Sequence, residues 1–481
     1  MKNLRILTTA LPLAFLPPSA LEAQLIAIRT VPVASGDQFL TAPSATLGMG
    51  GVRFAIDDSI ADGWSNPAKG VFVTESSLLV SPAYYGIYAT ADGGGAKTFP
   101  LTGLLSGSRW FGGVSAALQK VANGLGFDES SRNLYGRGYV GRKVGRAGWS
   151  VGASVSTARL NAMDGVDLLY AGAWRIDQRG SITDVRAGAY RAGDGDRLGF
   201  TVVHNRVSMA HYVSYLRVIL LRGTQDSGGV DVPSQFDETN EDRTRTWAGQ
   251  VEWTRRLQAP GWTIGIALST NYKSHPKIPN YQIQNIPRDP GTTWAHELGL
   301  GVARRRGPTT FGIDVALQPI RSHTWQEAEG PVETAGGTLQ AGDKTIENHF
   351  DFANLMLRTG VSHEFDRLEI QLGVDLRSYE YRLEQQDHVE GTTRRQSENW
   401  IEWTPSAAVT FGLSDTDIQY ATRVTAGTGT PGIGGGWNAA DRGISVVYGG
   451  GPDFIAAPSG ALWLDRAVVW THQLWIRVPI R

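Results

Sequence analysis

"RLEIQLGVDLRSY", residues 367–379, decides the fold. Leu368, Ile370, Leu372, Val374 and Leu376 alternate with Glu369, Gln371, Gly373, Asp375 and Arg377. A period of two places the apolar set on one face of a strand and the polar or small set on the other. "TFGIDVALQP" repeats the pattern, with Phe311, Ile313, Val315 and Leu317 against Gly312, Asp314, Ala316 and Gln318. "WTIGIALSTNY" aligns Trp262, Ile264, Ile266 and Leu268. Near the end of the chain, Val468, Trp470, Leu474, Ile476, Val478 and Ile480 align with His472 among them.

Alternation alone also fits a soluble sandwich, so the connections decide. Short turns are expected near Ala259-Pro260-Gly261, Arg306-Gly307-Pro308, Asp366 and Ser414-Asp415. Long polar segments separate them near 274–292, 321–349, 383–397 and 427–460. Short connections alternating with long ones are the rhythm of an outer-membrane barrel, with tight periplasmic turns and larger external loops. Trp262, Trp294, Trp325, Trp400 and Trp463 suit aromatic girdles near strand ends, and Asp375 and Arg377 would face a wet lumen. An even number of strands is expected, because both barrel termini then lie on the periplasmic side. The last strand should therefore run inward near 463–480, with "ISVVYGG" in an external loop. In the first half, candidate strands lie near 71–86, 104–119, 133–143, 147–158, 168–177, 181–191 and 197–222. The total is roughly 14 to 16 strands.

Composition agrees. The 481 residues carry a net charge of −1, which excludes the basic footprint of a nucleic-acid binder. Charged residues make up 19%, below the roughly 25% of soluble domains. There is no cysteine, which removes thiolate metal and redox chemistry and fits an exported chain. Lys2 and Arg5, the apolar stretch Ile6 to Leu16, and small residues up to Ala23 read as a signal peptide over 1–23. No later run is long and apolar enough for a spanning helix.

Residues 24–70 do not alternate and hold too little bulk for a core of their own. They contain "GMGGVRFAIDDSIADGWSNPAKG", residues 48–70. This stretch resembles the N-terminal signature of FadL-type outer-membrane transporters of hydrophobic compounds and of the related PorV-like proteins. The matching positions are Gly48, Gly50, Gly51, Ala55, Asp57, Asp58, Asn66, Pro67 and Ala68. The resemblance implies an all-β, antiparallel transmembrane barrel of about 14 strands over 71–481. It also implies a small hatch, residues 24–70, folded in the lumen. One departure is the end of the chain, "LWIRVPIR", where many such barrels carry a terminal aromatic residue.

Other readings of these residues are weaker. Asp57, Asp58 and Asp62 could ligate a hard cation, but their spacing is not that of an EF-hand, and aspartates also serve turns and caps. Asn66-Pro67 reads as a rigid entry into the first strand. "GTGTPG", Gly427 to Gly432, matches a dinucleotide pattern but is followed by glycines that cannot open a helix. The nine histidines form no His-x-x-x-His pair, and no catalytic, cofactor or metal site is expected. His472 reads as an interfacial or packed residue. Arg304-Arg305-Arg306 and Arg255-Arg256 would form a periplasmic rim, while Arg394-Arg395, in an external loop, could meet lipopolysaccharide phosphates.

The function expected is passive transport of a hydrophobic small molecule, of long-chain fatty acid or hydrocarbon type, across the outer membrane. Asp57, Asp58, Asn66 and Pro67 would position the hatch. A shift around Asn66 would open a route sideways into lipid, since an apolar solute gains nothing from an aqueous channel. The alternative is a PorV-like scaffold that binds secretion or surface proteins and transports nothing. An apolar cavity beside the hatch favours transport over scaffolding. The other partners expected are outer-membrane lipid and lipopolysaccharide.

Overall fold

The computed structural model describes residues 25–89, 92–122, 130–145, 148–164, 175–221, 230–276, 290–328, 330–334, 336–431 and 464–480. The expected signal peptide, Trp463 and "ISVVYGG" lie outside them.

Sixteen antiparallel strands close into one barrel among the described residues. The first, β1, is broken at Ser81-Pro82 into Ser77–Val80 and Ala83–Tyr88. β2 (Asp92–Ser106), β3 (Trp110–Ala122), β4 (Ser130–Val144) and β5 (Trp149–Leu160) follow. Then come β6 (Arg175–Ala192), β7 (Asp196–Leu221) and β8, whose halves Val230–Asp242 and Arg245–Arg256 both pair with β7. β9 (Trp262–Ser274), β10 (Gly291–Arg306), β11 (Thr309–Glu327) and β12 (Lys344–Phe365) continue the wall. β13 (Leu368–Asp387), β14 (Thr392–Gly412), β15 (Asp417–Pro431) and β16 (Leu464–Pro479) complete it. β16 returns to β1, with Ser77 opposite Pro479 and Ala83 opposite Gln473.

Two strands more than the 14 of the family resemblance are therefore present. The residues near 168–177 and 181–191 do not form two strands: β6 is continuous from Arg175, and 165–174 lie outside the described residues. The span 104–119 crosses a turn at Gly107–Arg109 and belongs to two strands. Local apolar content misleads there, because Leu104-Leu105 and Trp110-Phe111 flank a three-residue turn. The barrel begins at Ser77 rather than at Val71.

The short turns at Ala259–Gly261, Gly307-Pro308, Asp366-Arg367 and Leu413–Thr416 lie at the end that holds both barrel termini. Gly261 has φ 78°, and a Cβ there would stand 2.0 Å from the Arg305 carbonyl oxygen, so the turn requires glycine. At the other end the strands run on. The segment 383–397 is not a loop: β13 and β14 continue through it to a turn at His388–Gly391. Likewise β11 extends to Glu327 and β12 starts at Lys344, with a small hairpin of Val332–Thr334 and Gly337–Leu339 between them. Polar outward residues mimic a loop in the sequence when a strand has simply left the membrane.

The outer face is apolar and uncovered. Val114, Leu118, Val202, Leu300 and Leu372 each expose more than half of their surface. Such a belt around a closed barrel is a lipid-facing surface. The inner face carries the other alternation set, so Asp314, Gln371, Asp375 and Gln419 are buried. Asp375 lies between Arg358 at 3.4 Å and Arg377 at 3.1 Å, which neutralises charge that the lumen wall could not otherwise bury. Trp400 belongs to this inner face, stacked on Tyr379 with ring centroids 4.5 Å apart, and is not part of an outer girdle. His472 points outward, 2.7 Å from the Tyr420 hydroxyl.

Candidate functional site

Residues 25–76 thread the lumen. Their regular structure is limited to 3-10 turns at Leu47–Met49 and Pro67–Phe72 and one helical turn at Asp62–Ser65. The segment touches the wall on all sides: Asp37 pairs with Arg423 on β15, Gly48 packs against Ala408 on β14, and Gly70 packs against Tyr139 on β4.

The glycines of the resemblance motif allow the closest approach. The Ser406 hydroxyl donates to the Gly48 carbonyl at 2.9 Å and accepts from the Gly50 N–H at 2.9 Å. Gly50 and Gly51 have φ of 71° and 72°, a turn that L side chains resist. The wall answers with its own glycine: a Cβ on Gly373 would stand 2.2 Å from both Gly50 N and the Met49 carbonyl carbon. Two residues on, Asp314 accepts the N–H groups of Arg53 at 2.7 Å and Phe54 at 3.2 Å.

The aspartates are committed to protein groups. Asp58 accepts from the Ser44 hydroxyl at 2.7 Å and from the N–H groups of Ala45, Ile60 and Ala61 at 2.8, 3.0 and 2.9 Å. Asp57 forms an ion pair with Arg197 on β7. Asp62 lies 3.3 Å from Lys69, which also meets Glu252 on β8 at 2.9 Å. One buried lysine thus faces two carboxylates. Burial pushes the Asp62 carboxyl up, Lys69 pulls it back, and Asp58, Asp57 and Glu252 add to the rise, which brings it to about 7. Burial alone would lower Lys69, but Asp62 and Glu252 outweigh it and hold the ammonium above its usual range.

Asn66 and Pro67 do not enter the first strand. Asn66 is extended, as the residue before proline prefers, but it caps the turn Pro67–Phe72 by accepting the Ala68 N–H at 3.1 Å. Its Nδ2 donates to the Phe200 carbonyl at 3.3 Å, and its Oδ1 fills the space where a Cβ on Gly188 would stand. Ala68 is fully buried, and its carbonyl accepts from Ser150 at 2.9 Å. Beside Asn66 the wall is unbroken: β6 and β7 pair from Gly180 opposite Met209 to Ala192 opposite Arg197. No sideways opening stands ready there.

Between the segment and β3–β8 lies a cavity of about 380 Å³. Phe39, Tyr135, Ala158, Met163, Ile182 and Val207 form its apolar side. Arg137, Asp184 and Arg186 lie at the other side. Asp184 and Arg186 neutralise each other at 2.6 Å. Arg137 is only 7% exposed and has no carboxylate partner among the described residues; its Nη2 donates to the Thr41 carbonyl at 2.8 Å, and its guanidinium carbon stands 4.0 Å above the Trp64 ring. Its Nε and Nη1 have no hydrogen-bond partner among the described residues. A buried cluster of two arginines and one aspartate carries a net positive charge, with two N–H donors unfilled. The sequence reading missed Arg137, although its place between inward-facing Tyr135 and Tyr139 marks a cation on a lumen face.

The basic pairs behave as wall residues. Arg305 pairs with Glu364, Arg255 with Asp196, and Arg395, on β14 and not in a loop, with Glu384. Thr425 to Pro431 belongs to β15, with a bulge after Thr425 where Gly427 has φ 88°, and Gly432 lies outside the described residues. The histidines are less scattered than the sequence suggests: His323 and His349 lie directly opposite each other on β11 and β12, beside Glu347.

No protein-family model and no curated protein matches the chain. Among solved structures it is similar to a FadL homologue of Pseudomonas aeruginosa, at 11% identity and a TM-score of 0.42, over 93% of this chain and 100% of that one. The toluene transporter TbuX of Ralstonia pickettii is similar at 11% identity and a TM-score of 0.40, over 94% and 99%. The toluene transporter TodX of Pseudomonas putida is similar at 11% identity and a TM-score of 0.38, over 90% and 96%.

Proposed function

We propose that this barrel is a passive outer-membrane transporter of hydrophobic small molecules and that residues 25–76 act as its hatch. One observation carries the reading: an apolar cavity beside the hatch ends at Arg137, whose Nε and Nη1 have no partner among the described residues. An amphiphile with an apolar body and a single acidic head group matches both halves. The body would lie on Phe39, Tyr135 and Ile182, and the head would fill Nε and Nη1 of Arg137. Burying apolar surface contributes roughly 25 cal/mol per Å², and satisfying a buried guanidinium adds roughly 1.5–3 kcal/mol. Passage then requires the hatch to leave its niches at Gly188 and Gly373.

The test is uptake of labelled long-chain fatty acid and of a neutral aromatic hydrocarbon by cells with and without the protein. The protein should accelerate both. Arg137→Leu should cut fatty-acid uptake about tenfold or more and spare the hydrocarbon. Equal uptake of both probes with and without the barrel would overturn the reading.

A further inference from the structure

Far from the lumen, the outer face of the barrel gathers histidines. On β11 the apolar outward run Phe311, Ile313, Val315, Leu317 gives way to Arg321, paired with Asp351 on β12 at 3.4 Å. Beyond that ion pair, at the end opposite the short turns, His323 faces His349 directly across the strands. Their rings stack with centroids 4.4 Å apart. Glu347 projects on the same face two residues before His349, as the strand period requires. Its Oε1 lies 2.5 Å from His323 Nε2 and 3.7 Å from His349 Nε2. From the turn after β13, His388 brings Nε2 to 3.4 Å from Glu347 Oε2. That turn is held in place: the His388 N–H donates to the Thr345 carbonyl at 2.8 Å, and Asp387 accepts the N–H groups of Val389 and Glu390 at 2.9 Å each.

Three imidazoles thus converge on one carboxylate. The ligand atoms of His323, Glu347 and His349 all lie within 4.8 Å of one another, so small side-chain rotations bring them around one ion. We infer that His323, His349, His388 and Glu347 form a binding site for a divalent transition metal of the zinc, nickel or copper class. Nitrogen-rich donors with one carboxylate suit these ions, whereas calcium and magnesium require oxygen ligands. The occupant of the site without metal is Lys344, whose Nζ lies 2.5 Å from Glu347 Oε1. The ammonium holds the carboxylate in place, and an incoming dication would displace it. Bound metal would join β11, β12 and the β13–β14 turn at the outer rim. The inference is independent of what crosses the lumen.

Trp325 supplies the readout, because its ring lies 4.8 Å from that of His323. Titrating the untagged, detergent-solubilised full chain with nickel or copper should quench tryptophan fluorescence saturably. Calorimetry with zinc should give one ion per chain, and calcium should give no heat. His323→Ala and His349→Ala should each weaken zinc at least about tenfold, which corresponds to the loss of about 1.4 kcal/mol. Lys344→Met should tighten binding by removing the competitor, a gain that a merely structural lysine would not produce. His472→Ala, on β16, should bind as the parent does. These residues are rim side chains, so folding is checked by the heat-dependent gel mobility of the barrel. A folded parent chain that binds no zinc, or a His323→Ala/His349→Ala double variant that binds undiminished, would overturn the inference.

Discussion

The two faces of β11 obey opposite rules within one strand. Outward, Phe311, Ile313, Val315 and Leu317 are large and leave 36–46% of their surface uncovered by protein. Inward, Gly312, Asp314, Ala316 and Gln318 are small or polar and meet the hatch or their neighbours. The outer face is selected only by its solvent, so many apolar residues would serve. The inner face is selected by particular partners: Asp314 receives the N–H groups of Arg53 and Phe54 from the luminal segment, and Gly312 leaves room for Ile56. Tolerance should therefore differ sharply across the same wall.

The largest expected effect breaks the outer rule. Val315→Arg puts a charge in the apolar band and should destabilise the barrel by about 2–4 kcal/mol, read as a shift in the urea midpoint in lipid vesicles, while Val315→Leu should be nearly silent. Next comes the inner rule. Gly373→Ala inserts a methyl group into the backbone of Met49-Gly50 and should cost about 1–3 kcal/mol. That cost falls on hatch docking and not on the barrel. It should appear as faster amide exchange in residues 45–55 and a higher single-channel conductance, with an unchanged urea midpoint.

The smallest effect is a dependence on pH. Asp62 in the docked hatch holds its proton up to about pH 7, whereas an undocked, solvated carboxyl releases it near the ordinary value of about 4. Between these values the docked state binds more protons, so docking strengthens as pH falls and weakens as pH rises through 7. From pH 7.5 to 6 the gain should be about 1 kcal/mol, seen as slower exchange of residues 57–72 after correction for intrinsic rates. Asp62→Asn should abolish that slope.

Where one residue's own face determined the outcome, the sequence was legible. Period-two runs located the outward residues of β9, β11, β13 and β16, and proline and glycine marked the short turns. Beyond the lipid, outward residues such as Arg382 and Glu384 are as polar as inward ones, so alternation vanished and strand was read as loop. Register between strands is also invisible locally. His323 and His349 lie 26 positions apart in the sequence, and only the pairing of β11 with β12 sets them face to face. Glu347 and His349, two residues apart, were the one local sign of that cluster. Asn66-Pro67 looked like a strand entry because extended backbone before proline also suits the cap of a short helical turn. The orphan charge of Arg137 needed the lumen itself, since a missing carboxylate has no signature in a sequence.

The length of β12 has a consequence for where a solute first meets the protein. Its 22 residues rise roughly 3.3 Å each, and at a tilt of roughly 40° they stand roughly 55 Å tall against an apolar band of roughly 25 Å. The wall is therefore roughly twice as tall as the apolar band, and the strands rise well beyond it at the end away from the barrel termini. The strands β11–β14 thus form a collar beyond the apolar band, and under the proposed function that collar, rather than the bilayer surface, is where a hydrophobic compound would first meet the protein.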